Sequence, residues 1–259
     1  MNFWRFIPLQ TRNGFWNMAL DEAMLKSLIK KQTKPTLRFY KWNPSTASIG
    51  RNQSLSDEVD IDFCQKKSFN VVRRITGGGA VFHDQFNEIT YAIVCPISFL
   101  RKKGASKVIE QFEIITQGIV AGLNIFGLNT KKGIIHCPAL FLDSKKFSGN
   151  AQVRRKGFIL QHGTILLDID PDLMYSVLKT PPKVSKARMV RSVRAKCIGI
   201  KDYLNNYNEF RFIESLKSGF SETFEIEFKE NNFSKYEIAL ANKLVAEKYS
   251  EESWLKKYE

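Results

Sequence analysis

Strand-like and helix-like segments succeed one another without a repeating βαβ rhythm, and this order constrains the fold more than any other feature of the 259 residues. The opening "FWRFIPL" predicts a strand. "NGFWNMALDEAMLKSLIKK" then places Met18, Leu20, Ala23, Met24, Leu25 and Leu28 near helical spacing, with Asn13 or Asn17 as caps. "PTLRFYKW" and "STASIG" predict two strands around the turn "NPS". "VDIDFCQKKS" predicts a short helix, "FNVVRRI" a strand, "EITYAIVCPI" a long buried strand, and "KVIEQFEIITQGIVAGLNIFG" a helix ended by Gly127. Three strands follow, "GIIHCPALFLD", "KKFSGNAQVRRKG" and "FILQHGTILLDI", then a helix from Pro171 to about Leu178. The prolines and charges of "KTPPKVSKARMVRSVRAK" predict a mobile or ligand-covering loop. "NEFRFIESLKSGFSETF" reads as a helix, "EIEFKE" as a strand and "SKYEIALANKLVAEKYSEESW" as a closing helix. The mixture predicts an α+β fold with a largely antiparallel β-sheet flanked by helices. One domain spans residues 1–259, with 205–259 as its helix-strand-helix extension.

The densest chemistry lies in "RRITGGGAVFHD", residues 73–84. A strand delivers Arg73 and Arg74 at its end, and Gly77, Gly78 and Gly79 then permit positive φ and close backbone approach by another molecule. The glycines alone fit a plain hairpin or bulge equally well.

Forty Lys and Arg against 26 Asp and Glu give a formal net charge of +14, so the surface attracts anionic partners: nucleic acid, a nucleotide or acyl phosphate, or an acidic protein. The basic residues stand in short groups such as "KKQTK", "RKK" and "RRK", none long enough for a basic tail, and no aromatic-interleaved basic motif points to nucleic acid. Cys64, Cys95, Cys137 and Cys197 lie far apart without a C-x-x-C pair, which suggests neither a zinc site nor a disulfide framework. No stretch approaches the roughly 18 apolar residues of a membrane span, and "MNFWRFIPLQ" has no signal-peptide pattern. A soluble, cytoplasmic protein is expected.

"RRITGGGAVFHD" followed by "KKFSGNAQVRRKGFILQHGTILLDID" resembles the catalytic domain of the lipoate–protein ligase A family, in the superfamily of biotin ligases and octanoyltransferases. "NMALDEAML", "IGRNQ" and the ending "GFSETFEIEFKE…EKYSEESW" agree with it. The resemblance implies a biotin/lipoate protein ligase-like fold. It implies ATP- and Mg2+-dependent activation of lipoate to lipoyl-AMP, and transfer to the lysine of an acidic lipoyl-domain acceptor. By the same resemblance Lys146 is the catalytic cation at the acyl carbonyl and phosphate. The ligand is expected against Arg73, Arg74, Gly77, Gly78, Gly79, Ala80, Val81, His83, Gly149, Ala151, His162, Gly163 and Leu166, with one arginine alternatively buried in an ion pair. Small residues at Gly149, Ala151 and Gly163 leave room for a narrow acyl tunnel walled by Val72, Val81, Phe82 and Leu166.

Two departures open an alternative. Where such ligases carry an Asn-Asp or Thr-Asp pair for metal and nucleotide, this chain has Pro138 and Ala139, neither a side-chain ligand, and only Asp143 or another carboxylate would substitute. Cys137, nine positions before Lys146, is the candidate nucleophile of an octanoyl or lipoyl transferase that takes its acyl group as a thioester from acyl carrier protein or a lipoylated donor. "GGGAVFHD" reads in the ligase manner, and the ligase is therefore the first expectation. No accessory C-terminal domain follows the closing helix, which fits a ligase with a separate accessory subunit and a transferase equally. A binding protein without turnover is the third reading.

Overall fold

The structure is a computed structural model and describes residues 3–128, 130–132, 139–204 and 207–259. Strand β1 (Phe3–Arg12) leads into helix α1 (Gly14–Ile29), then β2 (Thr36–Trp42) and β3 (Thr46–Ile49). Short helices α2 (Leu55–Glu58) and α3 (Ile61–Lys66) precede β4 (Asn70–Arg73), the glycine loop, β5 (Val81–His83) and β6 (Glu88–Pro96). Next come α4 (Ile97–Lys102) and α5 (Val108–Phe126), followed by β7 (Lys131–Lys132), β8 (Leu140–Leu142), β9 (Lys145–Ser148), β10 (Asn150–Arg155) and β11 (Phe158–Leu166). Helices α6 (Pro171–Val177), α7 (Lys186–Lys196) and α8 (Glu209–Phe224), strand β12 (Glu227–Glu230), and helices α9 (Lys235–Leu244) and α10 (Glu252–Leu255) complete the order.

The main sheet runs β10-β11-β6-β2-β1-β12. It is antiparallel from β10 to β2 and parallel where β1 joins β2 and β12. Alternation along the strands sends successive side chains to opposite faces. Tyr91, Ile93 and Cys95 of β6 pack under α5 and α8, while Ala92 and Val94 pack under α1 and α9. Two smaller sheets, β4-β3-β5 and β7-β8-β9, flank it. Helices α5 and α8 cross at Gly118, Gly122 and Gly219, where a Cβ on Gly219 would lie 2.1 Å from the Gly122 nitrogen.

Helix α1 starts where the Asn13 side chain accepts from the Trp16 amide at 3.0 Å, which fixes Asn13 as its cap. The helix is buried nearly all round, including Asp21 and Glu22, and buried charges persist only when paired. Burial raises the Glu22 carboxyl, but Lys248, Lys26 and the Tyr249 hydroxyl outweigh it and hold it down at about 2. The same carboxylate lies 2.6 Å from Lys248 Nζ and thereby ties α1 to the segment after α9.

Three sequence expectations are corrected. The single strand over "KKFSGNAQVRRKG" is two strands, broken at Gly149, because β9 pairs with β8 whereas β10 pairs with β11. The loop expected over "KTPPKVSKARMVRSVRAK" contains helix α7, capped by the Ser185 hydroxyl and held by buried Val190. The closing helix stops at Leu244 and resumes as α10 after a π turn over Val245–Tyr249. Among the described residues no helix is long and apolar enough to cross a membrane.

Candidate active site

A cavity of ≈ 350 Å³ opens between the glycine loop, the β9–β10 break, β11 and the α6–α7 pair. Its size falls in the range of small-ligand sites, roughly 300–1,000 Å³. Of the residues expected against the ligand, Arg74, Gly78, Gly79, Ala80, Val81, His83, Lys146, Gly149, Ala151, His162, Gly163 and Leu166 line it, and so does Phe82. Arg73, Gly77 and Val72 do not.

Adjacent residues on a strand face opposite ways, which separates the two arginines at the end of β4. Arg73 is fully buried on the far side, and its guanidinium donates to the carbonyls of Gly50, Arg51, Gln53, Trp254 and Leu255. It fastens the C-terminal residues to the small sheet rather than contacting a ligand. Arg74 faces the cavity, yet its donors are all engaged: Nε with Thr76 Oγ1, Nη1 with Ser48, and Nη2 with the Gly77 and Gly79 carbonyls. It therefore shapes the glycine loop instead of gripping a phosphate or carboxylate. Burial lowers its pKa to about 10, so it stays cationic at neutral pH, with no carboxylate partner among the described residues. A cation so placed favours negative charge developing in the cavity.

Both histidines are held by carboxylates. His83 Nδ1 lies 2.7 Å from Glu88 Oε1 and its Nε2 2.8 Å from Ser48 Oγ. His162 Nδ1 lies 2.9 Å from Asp21 Oδ2 and its Nε2 2.8 Å from Thr76 Oγ1. A carboxylate only accepts, so Nδ1 donates in both rings. Burial outweighs the pull of Asp21 and lowers the His162 pKa, which keeps that ring neutral. Asp21 also accepts from Arg38 Nη1 and the Tyr40 hydroxyl, joining the glycine loop to central helix α1 through one network.

Lys146 sits in β9, which is bonded on both edges. It pairs with Phe141 of β8, and its carbonyl accepts from the Ile198 amide at 3.0 Å. Its ammonium lies over Gly149, where a Cβ would stand 3.3 Å from Nζ. Glycine at 149 thus lets the lysine lie flat against the cavity wall. No anionic side chain pairs with Lys146 among the described residues. Two residues on, Ser148 points the same way; its hydroxyl is buried, lines the cavity and has no partner among the described residues. An unpaired buried hydroxyl costs about 1–3 kcal/mol, which a bound polar atom would recover.

Sequence reasoning missed the opposite wall, Met174, Tyr175, Leu178, Val193 and Cys197, because it falls on α6 and α7. It also missed Met18, Tyr40, Trp42 and Thr90, whose patterning reads only as core. Asp143, the carboxylate nearest the departed Asn-Asp position, stands exposed in the turn before β9 and outside the cavity. Burial pushes the Cys64 thiol up to about 11 and the Cys95 thiol higher, and both lie in the core. Burial also raises Cys197, against the pull of Lys146 and Lys196. None of the three is an activated thiolate. Cys137 and Pro138 lie outside the described residues.

The model of the lipoyl protein ligase A/B catalytic domain matches residues 13–221. The chain belongs to this family. Over nearly its whole length it is similar to octanoyltransferases named LipM. The one from Brevibacillus brevis is 35% identical, covering 98% of this chain and 99% of the relative, and the one from Staphylococcus epidermidis is 34% identical, covering 97% and 98%. A solved chain of a bi-partite lipoate protein ligase and its E2 lipoyl domain from Thermoplasma acidophilum superposes with a TM-score of 0.86 at 30% identity, covering 100% of this chain and 98% of that one. The fold is that of the lipoate ligase catalytic domain. The expected ATP-dependent ligase is corrected by the relatives, which are octanoyltransferases end to end.

One substitution tests the loop geometry. A Cβ at Gly50 would stand 2.0 Å from the Gly78 carbonyl oxygen, so Gly50→Ala must displace the lip of the cavity. The expected result is ligand binding weakened about 10-fold together with a lowered melting temperature; unchanged binding would show that the lip does not touch the ligand.

Proposed function

We propose that the protein transfers an octanoyl group from a carrier-bound thioester to the lysine of a lipoyl-domain acceptor, through an acyl-enzyme on Cys137. The observation that carries this reading is Lys146, an ammonium without an anionic partner among the described residues, at the wall of a cavity otherwise lined largely by apolar side chains. In the first half-reaction the Cys137 thiolate attacks the thioester carbonyl, the C–S bond to the carrier breaks, and the carrier thiolate leaves and takes a proton. In the second, the deprotonated acceptor amine attacks the acyl-enzyme, an amide forms, and the Cys137 sulfur leaves. Each step passes through an oxyanion. Lys146 Nζ and the unpartnered Ser148 hydroxyl are the donors on one face of β9 that would hold it, beside the fixed positive charge of Arg74. The thioester carries the activation, and this reading assigns no part to ATP or Mg2+. The neighbouring archaeal lipoylation system includes an E2 lipoyl domain, which supports an acceptor of that kind.

The test is intact-mass spectrometry of a lipoyl domain after incubation with the protein, with octanoyl carrier protein in one tube and lipoate, ATP and Mg2+ in the other. Octanoylation in the first tube only, with a transient octanoyl adduct mapped to Cys137, is expected. Full activity of Cys137→Ser, or modification in the second tube only, would overturn the proposal.

A further inference from the structure

Residues 179–201 hold eight of the forty Lys and Arg and none of the 26 Asp and Glu, so this stretch alone carries more than half of the net charge of +14. In the sequence these residues look like scattered small groups. Helix α7 holds five of them: Val190 and Val193 turn inward, and the outward side presents Arg188 and Arg191 flanked by Arg194 and Lys196, all exposed. Arg194 pairs with Asp172, whereas Lys183, Arg188, Arg191 and Lys196 have no ion-pair partner among the described residues. An unneutralised row of cations repels itself, and an acidic partner relieves that repulsion.

The ridge stands at the mouth of the chemistry. Val193 and the helix C-cap Cys197 line the acyl cavity, and Cys197 bridges to Lys146 in the ladder. On its other side Cys197 borders a second, polar groove of ≈ 700 Å³, walled by Lys145, Asp168, Arg194, Asp202 and Tyr203. An apolar cavity thus adjoins a polar groove through one shared residue, with a basic helix along the rim.

We propose that α7 and this groove are the docking site of the acyl donor, an acidic acyl carrier whose thioester hangs on a phosphodiester-linked arm. The acidic carrier surface meets Arg188 and Arg191, the amide-bearing arm lies in the polar groove, and the acyl chain enters the apolar cavity. The acceptor presents only a lysine side chain and has no arm to fill such a groove, which distinguishes donor from acceptor. The inference rests on the octanoyl-transfer reading.

The experiment compares the parent protein with Arg188→Glu/Arg191→Glu and with a control pair, Lys229→Glu/Lys243→Glu, drawn from β12 and α9. Binding of acyl-free carrier protein is measured first, because it needs no turnover. Transfer to the lipoyl domain is then followed from octanoyl carrier protein and from octanoyl-N-acetylcysteamine. The α7 pair is expected to weaken carrier binding and raise the KM for octanoyl carrier about 10-fold or more, with a flatter salt dependence. Its kcat/KM for the small thioester and its KM for the acceptor should stay within about twofold of the parent. Unchanged carrier binding, an equal loss in the control pair, or a rise in the acceptor KM instead would each overturn the docking site. Absence of transfer from both thioesters in the parent protein would strike the octanoyl-transfer reading, and the binding measurement would still decide the docking site.

Discussion

Lys146→Ala is expected to lower single-turnover octanoyl transfer by about 10²–10³-fold, the scale of losing one donor at a developing oxyanion. The loss should fall on kcat. Its ammonium pairs with no anionic side chain among the described residues, and its backbone bonds to Phe141 and Ile198 remain. The melting temperature should therefore match the parent. Lys146→Arg should rescue poorly, because a planar fork cannot lie over Gly149 as a compact ammonium does. Transfer within a few-fold of the parent in Lys146→Ala would remove this lysine from the chemistry.

Gly219→Val is expected to produce the largest loss of stability. At the α5–α8 crossing a Cβ on Gly219 would meet the Gly118 carbonyl at 2.5 Å and the Gly122 nitrogen at 2.1 Å, both backbone atoms that no rotamer change can move. The helices must separate, and the apolar layer of Phe212, Leu216 and Phe220 against Ile115 and Ile119 loosens with them. Overpacking of this kind costs about 3 kcal/mol, or on the order of 10 °C in melting temperature for a chain of this size. Thermal unfolding followed by circular dichroism checks it; a shift below about 2 °C would show that the crossing yields without cost.

What the sequence disclosed was local. The start of α1 at Asn13 or Asn17, the stop at Gly127 and the long buried strand β6 were legible because they depend on neighbours within a few residues. Half of the cavity lining was legible, because "RRITGGGAVFHD", "KKFSGNAQ" and "QHGTILL" each keep their chemistry in one short piece. Long-range pairings were not: nothing in "FWRFIPL" says that β1 runs parallel to β12 more than two hundred residues on. Helix α7 was misread because Pro181 and Pro182 just before it and the run of charges along it dominate the segment, although Met189, Val190 and Val193 keep helical spacing. The reaction was misjudged by weighing the glycine triplet above Pro138 and Ala139. A glycine loop of that kind serves several chemistries, and it is the full-length relatives that decide against the ligase.

The break at Gly149 divides labour between two sheets. Lys146 belongs to the three-stranded sheet, while Ala151, His162 and Gly163, which line the same cavity, belong to the six-stranded one. On the octanoyl-transfer proposal, substitutions within β7–β9 would retune the cation without disturbing the wall beside the acyl chain, so that activation and chain selection would change independently.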